Sequence, residues 1–163
     1  ATVVDLAGIA VPEGWWSGES AAPALRAGSE SGRDALFLSQ GAWACQRGVR
    51  FGDHLYLRTS HDGYHAHWQP EMLFNIADDP HEMRDIAADD PALTKEASGR
   101  LDAWIDEQLA IALGDQRDPM DIVLGEGGPY HCRGHLDAYL ERLRETGRGD
   151  WADVLTERHL TSS

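Results

Sequence analysis

The clearest pattern in the chain is an alternation of apolar and polar residues in its second quarter. Residues 45–51 and 54–59 each alternate with a period of two, as half-buried strands do. Gly52-Asp53 between them fits a two-residue hairpin turn with glycine at its first position. Short apolar runs at 35–39 and 72–76 extend the pattern on either side. The sequence therefore predicts a small antiparallel meander of about four strands.

A pattern with helical spacing begins at Asp90-Pro91, where an acidic capping residue precedes proline at the first helical position. Apolar residues then recur three and four positions apart until Gly114; they are Leu93, Ala97, Leu101, Trp104, Ile105, Leu109 and Ala112. This spacing predicts one long amphipathic helix. Because its apolar side needs a partner, we expect the helix to pack across one face of the sheet.

The two ends of the chain are less regular. Residues 2–8 have the pattern of the end of a helix, and the missing cap at its start indicates a cut from a longer chain. Residues 10–34 are rich in Gly, Pro, Ser and Ala and predict an irregular connection. Residues 136–143 predict a helix that ends at Gly147, and Asp150 is a candidate cap for a last short helix.

Together these elements predict an α+β fold: a small antiparallel sheet, a long amphipathic helix on one of its faces, and a helical C-terminal tail. The predicted segments are 1–34 for the end of a helix and a connection, 35–113 for the sheet with its helix, and 114–163 for the tail. The helical stripes of the tail are short, so we expect it to pack onto another part of the protein.

Composition narrows the class of protein. The 28 acidic residues outnumber the 14 basic ones, and the formal net charge of -14 argues against binding to nucleic acid or to a membrane surface. No uncharged apolar run approaches the roughly 18 residues of a membrane helix. Cys45 and Cys132 are too few for a disulfide framework, which favours a cytoplasmic location, and a single bridge between them stays open.

Three histidines, His61, His65 and His67, lie close together around a turn predicted at residues 60–63. In a strand, His65 and His67 would point the same way, as a pair of metal ligands must. Their spacing matches no closed zinc pattern, so we predict no metal site here. Two interpretations stay open: these side chains line a binding cleft, or they belong to an ordinary hairpin that faces solvent.

The remaining candidate motifs do not complete an active site. Cys45 lies on the predicted core face, so we expect a buried, inert thiol. Cys132 has His131 and Arg133 beside it, and a nucleophilic role there is disfavoured. The glycine-rich residues 125–129 lack the Lys-Ser/Thr pair of a phosphate loop and predict a turn. The acidic runs near residues 80 and 90 lack the ligand spacing of a calcium loop.

Four segments follow one another in a characteristic order, at residues 2–9, 18–28, 46–57 and 71–87. The third contains an arginine strand that turns through Gly-Asp into the next strand, and the fourth contains Asp79-Pro80-His81-Glu82. In this order they resemble the C-terminal portion of a bacterial-type sulfatase, a member of the alkaline-phosphatase-like superfamily. The resemblance covers residues 2–113, and the tail resembles an extension found in a subgroup.

The sequence departs from the family pattern at two positions, with His54 where tryptophan is usual and Asn75 where aspartate is usual. The catalytic motif of sulfatases, Cys-x-Pro-Ser-Arg, is missing, since Gln46-Arg47 follows Cys45 and Arg133-Gly134 follows Cys132. The resemblance therefore implies a fragment that is inactive alone. It implies that the parent uses formylglycine, made from the motif cysteine, and a divalent metal (calcium or magnesium), with no cofactor in this chain.

The resemblance also implies partners and a site. The subdomain would pack on the parent's N-terminal catalytic domain and wall the cleft for a small-molecule sulfate ester. The candidate substrate-binding residues are Trp43, His61, Tyr64, His65, His67 and Trp68. Two alternatives are a subdomain of a formylglycine-dependent phosphonate or phosphodiester hydrolase and a free-standing binding module. Because a cut subdomain exposes an apolar docking face, we expect self-association of the isolated chain. An export signal of the parent would lie outside this chain.

Overall fold

A computed structural model describes residues 1–10, 16, 18–29, 33–112, 114 and 117–160 of the chain. The chain divides into two compact units, Ala1–Asp34 and Ala35–Ser163. Within the described residues, none of the helices is both long enough and apolar enough to cross a membrane.

The first unit contains two short helices, α1 (Thr2–Leu6) and α2 (Ala22–Ala27). The Ala21 backbone N–H donates to Thr2 Oγ1 over 2.9 Å, and Arg26 pairs with Asp5 at 3.1 Å. The composition of residues 10–34 predicts only irregular structure, and α2 corrects that prediction. Its sequence contains a start and a stop, because proline lies in the first turn and Gly28 takes the left-handed conformation at the C-terminus. Parts of that connection lie outside the described residues.

The second unit is built on a four-stranded antiparallel sheet with the strand order β1-β2-β3-β4. The strands are β1 (Ala35–Gln40), β2 (Cys45–Phe51), β3 (His54–His61) and β4 (Glu71–Asn75). The predicted meander is therefore confirmed. The residue Gly52 in the hairpin between β2 and β3 has φ +49°, as a tight turn with glycine in its first position requires.

The long helix α3 (Pro91–Ile111) packs on one face of this sheet, as the apolar spacing predicted. The Asp90 side chain accepts a hydrogen bond from the Leu93 backbone N–H over 2.9 Å, which confirms the predicted cap. The core between helix and sheet consists of Val49, Phe51, Tyr56, Leu73, Ala97 and Leu101, with Phe37 stacked on Trp104 at its edge. The predicted α+β fold is confirmed.

The described residues of the C-terminal tail form three helices, α4 (Pro119–Gly125), α5 (Leu136–Glu145) and α6 (Gly149–Leu160). A 3₁₀ turn (Tyr130–Cys132) lies between α4 and α5. The sequence pattern predicted α5 and α6 and missed α4, whose start is held by an ion pair of 2.5 Å between Asp118 and Arg47 of β2. Leu140, Leu143, Ala152 and Leu155 form a second small core, and Ala66 of the β3–β4 loop completes it.

Candidate functional site

The candidate site begins at an irregularity near the end of β3. Cys45 pairs with His61 while its neighbour Gln46 pairs with Thr59, so Ser60 is an extra residue in β3. Such a bulge redirects the side chains that follow it. The ring of His61 consequently lies against the tail, where a Cβ on Gly128 would approach it to 2.5 Å. Gly128 also has φ +84°. This position therefore needs glycine both because a Cβ would clash with the His61 ring and because other residues rarely adopt this φ.

The loop that follows is a tight turn rather than an extended strand. The Asp62 carboxylate accepts from the Tyr64 backbone N–H over 2.9 Å, and both Gly63 and Tyr64 have positive φ. A Cβ on Gly63 would lie 1.8 Å from the Trp43 carbonyl oxygen. The turn predicted at residues 60–63 therefore lies slightly later in the chain. His65 belongs to this turn and not to a strand.

Asp62 is the buried centre of the site, with 5% of its surface exposed. Its Oδ2 accepts from Arg158 Nη1 over 3.0 Å, and its Oδ1 lies 2.9 Å from His159 Nε2. The same Arg158 nitrogen donates to the Trp68 carbonyl oxygen over 2.7 Å. Two neighbouring residues of α6 thus hold both the start and the end of the loop. We call this set, Asp62 with Arg158 and His159, the carboxylate network.

The protonation states in the network follow from its geometry. Burial alone would raise the pKa of Asp62, but hydrogen bonds from His159, the Tyr64 backbone and Arg158 outweigh it and lower the pKa to about 2. Asp62 is therefore an anion at neutral pH. Burial and the neighbouring His159 lower the pKa of His61. The Gly63 N–H donates to His61 Nδ1 over 3.0 Å, so that nitrogen accepts and the ring is neutral.

Two of the predicted site residues face the tail. Tyr64 donates from its hydroxyl to the Cys132 carbonyl over 2.6 Å and stacks on Tyr139 with ring centres 5.7 Å apart. The His61 ring lies 5.1 Å from that of His159. Both side chains therefore help to join the loop to the tail.

The other predicted residues lie nearer the surface. The rings of His65 and Trp68 are 4.2 Å apart, and those of His67 and Trp68 are 5.6 Å apart. Trp43 is 67% exposed, and its ring lies 5.4 Å from His131. The histidines His65 and His67 are edge to face rather than aligned as a ligand pair. Their proposed contact with substrate stays a prediction.

Several site residues were not found from the sequence: His131, Trp151, Arg158 and His159. They lie in the 3₁₀ turn and α6, at least 63 positions beyond Trp68, the last of the predicted site residues. The Trp151 ring lies 6.2 Å from that of His67. No local pattern could have found these residues, because the pairing is created only when the tail folds onto the loop.

Neither cysteine suits a nucleophile or a precursor of formylglycine. Both are free thiols and fully buried. Burial raises the pKa of both, and that of Cys132 reaches about 11 although His131 Nε2 lies 3.3 Å from its sulfur. The described residues contain no group of three or more His, Cys, Asp or Glu side chains arranged to hold a metal ion. The metal and formylglycine chemistry of a sulfatase therefore does not fit the residues described for this chain.

This chain is similar to parts of two proteins of known structure. No family model matches the chain, and no curated protein matches it. Among solved structures, BT4656, determined in complex with its substrate D-glucosamine-2-N,6-O-disulfate, matches 71% of this chain with a TM-score of 0.53 and 20% identity. YidJ of Bacteroides fragilis, a protein assigned to the sulfatases, matches 73% with a TM-score of 0.49 and 20% identity.

The match covers only a part of those proteins. This chain spans 24% of the length of BT4656 and 24% of the length of YidJ. At 20% identity, the similarity to BT4656 shows a shared fold, and its TM-score exceeds 0.5. The chain therefore has the fold of about a quarter of BT4656.

Proposed function

We propose that this chain is the C-terminal subdomain of a sulfuric ester hydrolase, which packs on the catalytic domain of a longer parent and forms one wall of its substrate cleft. The observation that carries the proposal is the fold shared with BT4656 over a quarter of that protein. The two buried cysteines and the missing catalytic motif support a non-catalytic role for this part. Catalysis would belong to the parent's N-terminal domain, with its formylglycine and divalent metal.

The sheet face opposite α3 supports the docking part of the proposal. By strand register, Leu36 and Leu38 of β1 lie on this face together with Leu55 and Leu57 of β3. Leu36 is 45% exposed and Leu38 is 42% exposed. A groove of about 450 Å³ lies over Leu38, Leu55 and Leu57 and is flanked by Trp68 and Glu82. Exposed aliphatic residues along a groove are typical of a surface that a second body covers.

The loop between β3 and β4 supports the cleft part. Its surface carries His65, His67 and Trp68, with Trp43 exposed on the adjoining turn between β1 and β2. Indole and imidazole rings suit the sugar or aryl group that carries a sulfate, and they leave the sulfuryl chemistry to the metal site of another domain. Trp68 also borders the groove of the docking face, so the proposed wall adjoins the proposed interface.

The proposal is tested on the whole open reading frame that encodes this chain. We expect its product to contain Cys-x-Pro-Ser-Arg upstream of Ala1 and to hydrolyse 4-nitrophenyl sulfate, whereas the 163-residue chain alone does not. Hydrolysis of bis(4-nitrophenyl) phosphate in place of the sulfate ester would favour the phosphodiesterase alternative. A frame without the motif, or a product with neither activity, would overturn the proposal and favour a binding module.

The docking face has its own test. We expect the isolated chain to self-associate in analytical ultracentrifugation and Leu38→Asp to shift it toward monomer, because the charge would be buried in the contact. Ile111→Asp is the matched control, since Ile111 is a 66% exposed apolar residue at the end of α3. Equal association of both variants and the unmodified chain would exclude this face as the interface.

A further inference from the structure

The tail adds an exposed tryptophan to the surface of the β3–β4 loop. Trp151, in the first turn of α6, is 46% exposed, and its ring centre lies 6.2 Å from that of His67. The ring centre of Trp68 lies 5.6 Å from that of His67. The His67 ring is therefore near both indoles, and we call His67, Trp68 and Trp151 together the aromatic surface. One of its three rings, that of Trp151, comes from α6, a helix that the sequence pattern did not connect to the loop.

An arginine with spare hydrogen-bond donors lies beside this surface. The Arg148 guanidinium carbon lies 6.0 Å from the ring centre of Trp151, and Arg148 Nε donates to Thr146 Oγ1 over 3.1 Å. Neither terminal nitrogen of Arg148 forms a hydrogen bond or an ion pair with another described residue. In a protein of net charge -14, an exposed cation without an acidic partner is suited to an anionic ligand.

Contacts between α6 and the β3–β4 loop hold the residues of this surface in place. Arg158, two turns further along α6, bonds the Asp62 carboxylate and the Trp68 carbonyl oxygen. Ala152 and Leu155 of α6 are fully buried against Ala66 of the loop. The carboxylate network and this core fix Trp151 relative to His67 and Trp68 before any ligand arrives. Such preorganisation lowers the entropy that a ligand loses on binding.

From these contacts we propose that Trp151 and Arg148 bind an anionic sugar unit together with His67 and Trp68. The C–H face of the sugar ring lies on the Trp151 indole, whose negative π-face attracts these C–H groups. An anionic substituent, such as a sulfate, accepts hydrogen bonds from the terminal nitrogens of Arg148. This inference rests on the proposed function for the class of ligand, and it adds two residues of the tail to the binding surface.

The test is a titration of the 163-residue chain, observed through the indole N–H and arginine Nε–H signals in NMR. The probes are D-glucosamine 6-sulfate, D-glucosamine and inorganic sulfate. We expect the sulfated sugar to bind most tightly and to shift the signals of Trp151 and Arg148. Trp151→Ala should weaken the binding of both sugars about tenfold, and Arg148→Gln should weaken only the sulfated sugar, also about tenfold.

Matched controls come from the same chain. Trp16 is a 45% exposed tryptophan, and Arg84 is an exposed arginine paired with Asp89. Trp16→Ala and Arg84→Gln should leave both affinities within twofold of the unmodified chain. Variants of Trp151 and Arg148 that bind as the unmodified chain does, or an unmodified chain that binds none of the probes, would overturn the inference.

The outcome is separable from that of the proposed function. A full-length product that hydrolyses sulfate esters, with kcat/KM unchanged by Arg148→Gln, would refute the inference and leave the proposed function standing. A product without sulfatase activity whose tail still binds the sulfated sugar through Arg148 would refute the proposed function alone. Circular dichroism of each variant checks that a loss of binding is not a loss of fold.

Discussion

Replacing Asp62 by asparagine removes the charge at the centre of the carboxylate network and turns the oxygen that accepts from Arg158 into an NH₂ donor. Asparagine has the same shape, and its side-chain oxygen still accepts from the Tyr64 N–H. Arg158 and His159 lose the anion that they share, at 3.0 and 2.9 Å. Because the site is buried, solvent cannot fully replace that anion, so the junction between loop and tail should weaken.

The magnitude follows from two independent arguments. A carboxyl whose pKa falls from its ordinary 3.8 to about 2 contributes about 2 kcal/mol of stability at neutral pH. Breaking a buried ion pair on one side costs about 3–5 kcal/mol, because the remaining charge is left without a partner. The Arg158 side chain is 26% exposed and recovers part of its hydration. We therefore expect Asp62→Asn to lower the free energy of unfolding by about 2–4 kcal/mol.

The assay is urea unfolding by far-ultraviolet circular dichroism at several pH values. Since the folded pKa of Asp62 is below the unfolded one, its contribution is complete above about pH 4 and is lost as the pH falls toward 2. The difference between the unmodified chain and Asp62→Asn should shrink to about half by pH 3. Asp89→Asn breaks an exposed pair with Arg84 and should cost less than about 1 kcal/mol.

Two results would refute this reasoning. If Asp62→Asn cost no more than Asp89→Asn at pH 7, the network would contribute no stability. If the difference stayed constant down to pH 2, its origin would not be the charge of Asp62.

Three further predictions concern single positions. Gly128→Ala should destabilise the fold by about 2–4 kcal/mol, because the new Cβ would clash with the His61 ring and the backbone has a positive φ. Gly149→Ala is the control: no atom lies within 4 Å of its Cβ position, so it should be neutral or slightly stabilising in the same urea assay. An NMR titration should give His61 a pKa below its ordinary 6.5. Because the folded state then resists protonation more than the unfolded state does, the free energy of unfolding should decrease as the pH falls below that value. Native Cys45 and Cys132 should resist a thiol reagent such as DTNB and react only after unfolding, and rapid reaction of either in the native protein would contradict their burial.

Much of the fold is encoded locally and could be predicted. The strand alternation at residues 45–51 and 54–59 has a period of two because side chains of a strand point alternately to the core and away from it. The stripe of α3 and its Asp90 cap are equally local signals, and both are present in the structure. The segment α2 was missed because it is a six-residue helix in a stretch rich in Gly, Pro and Ser.

The meander, the long helix and the order of segments that resembles a sulfatase follow from local sequence patterns, since each depends on neighbouring residues. The set of side chains that meet at the site depends instead on how the tail folds. Asp62 and His159 are 97 positions apart, and Trp151 follows His67 by 84, so no period or motif links them. Two of the hydrogen bonds that lower the pKa of Asp62 against the effect of burial exist only when the tail has folded onto the loop, because their donors Arg158 and His159 belong to the tail.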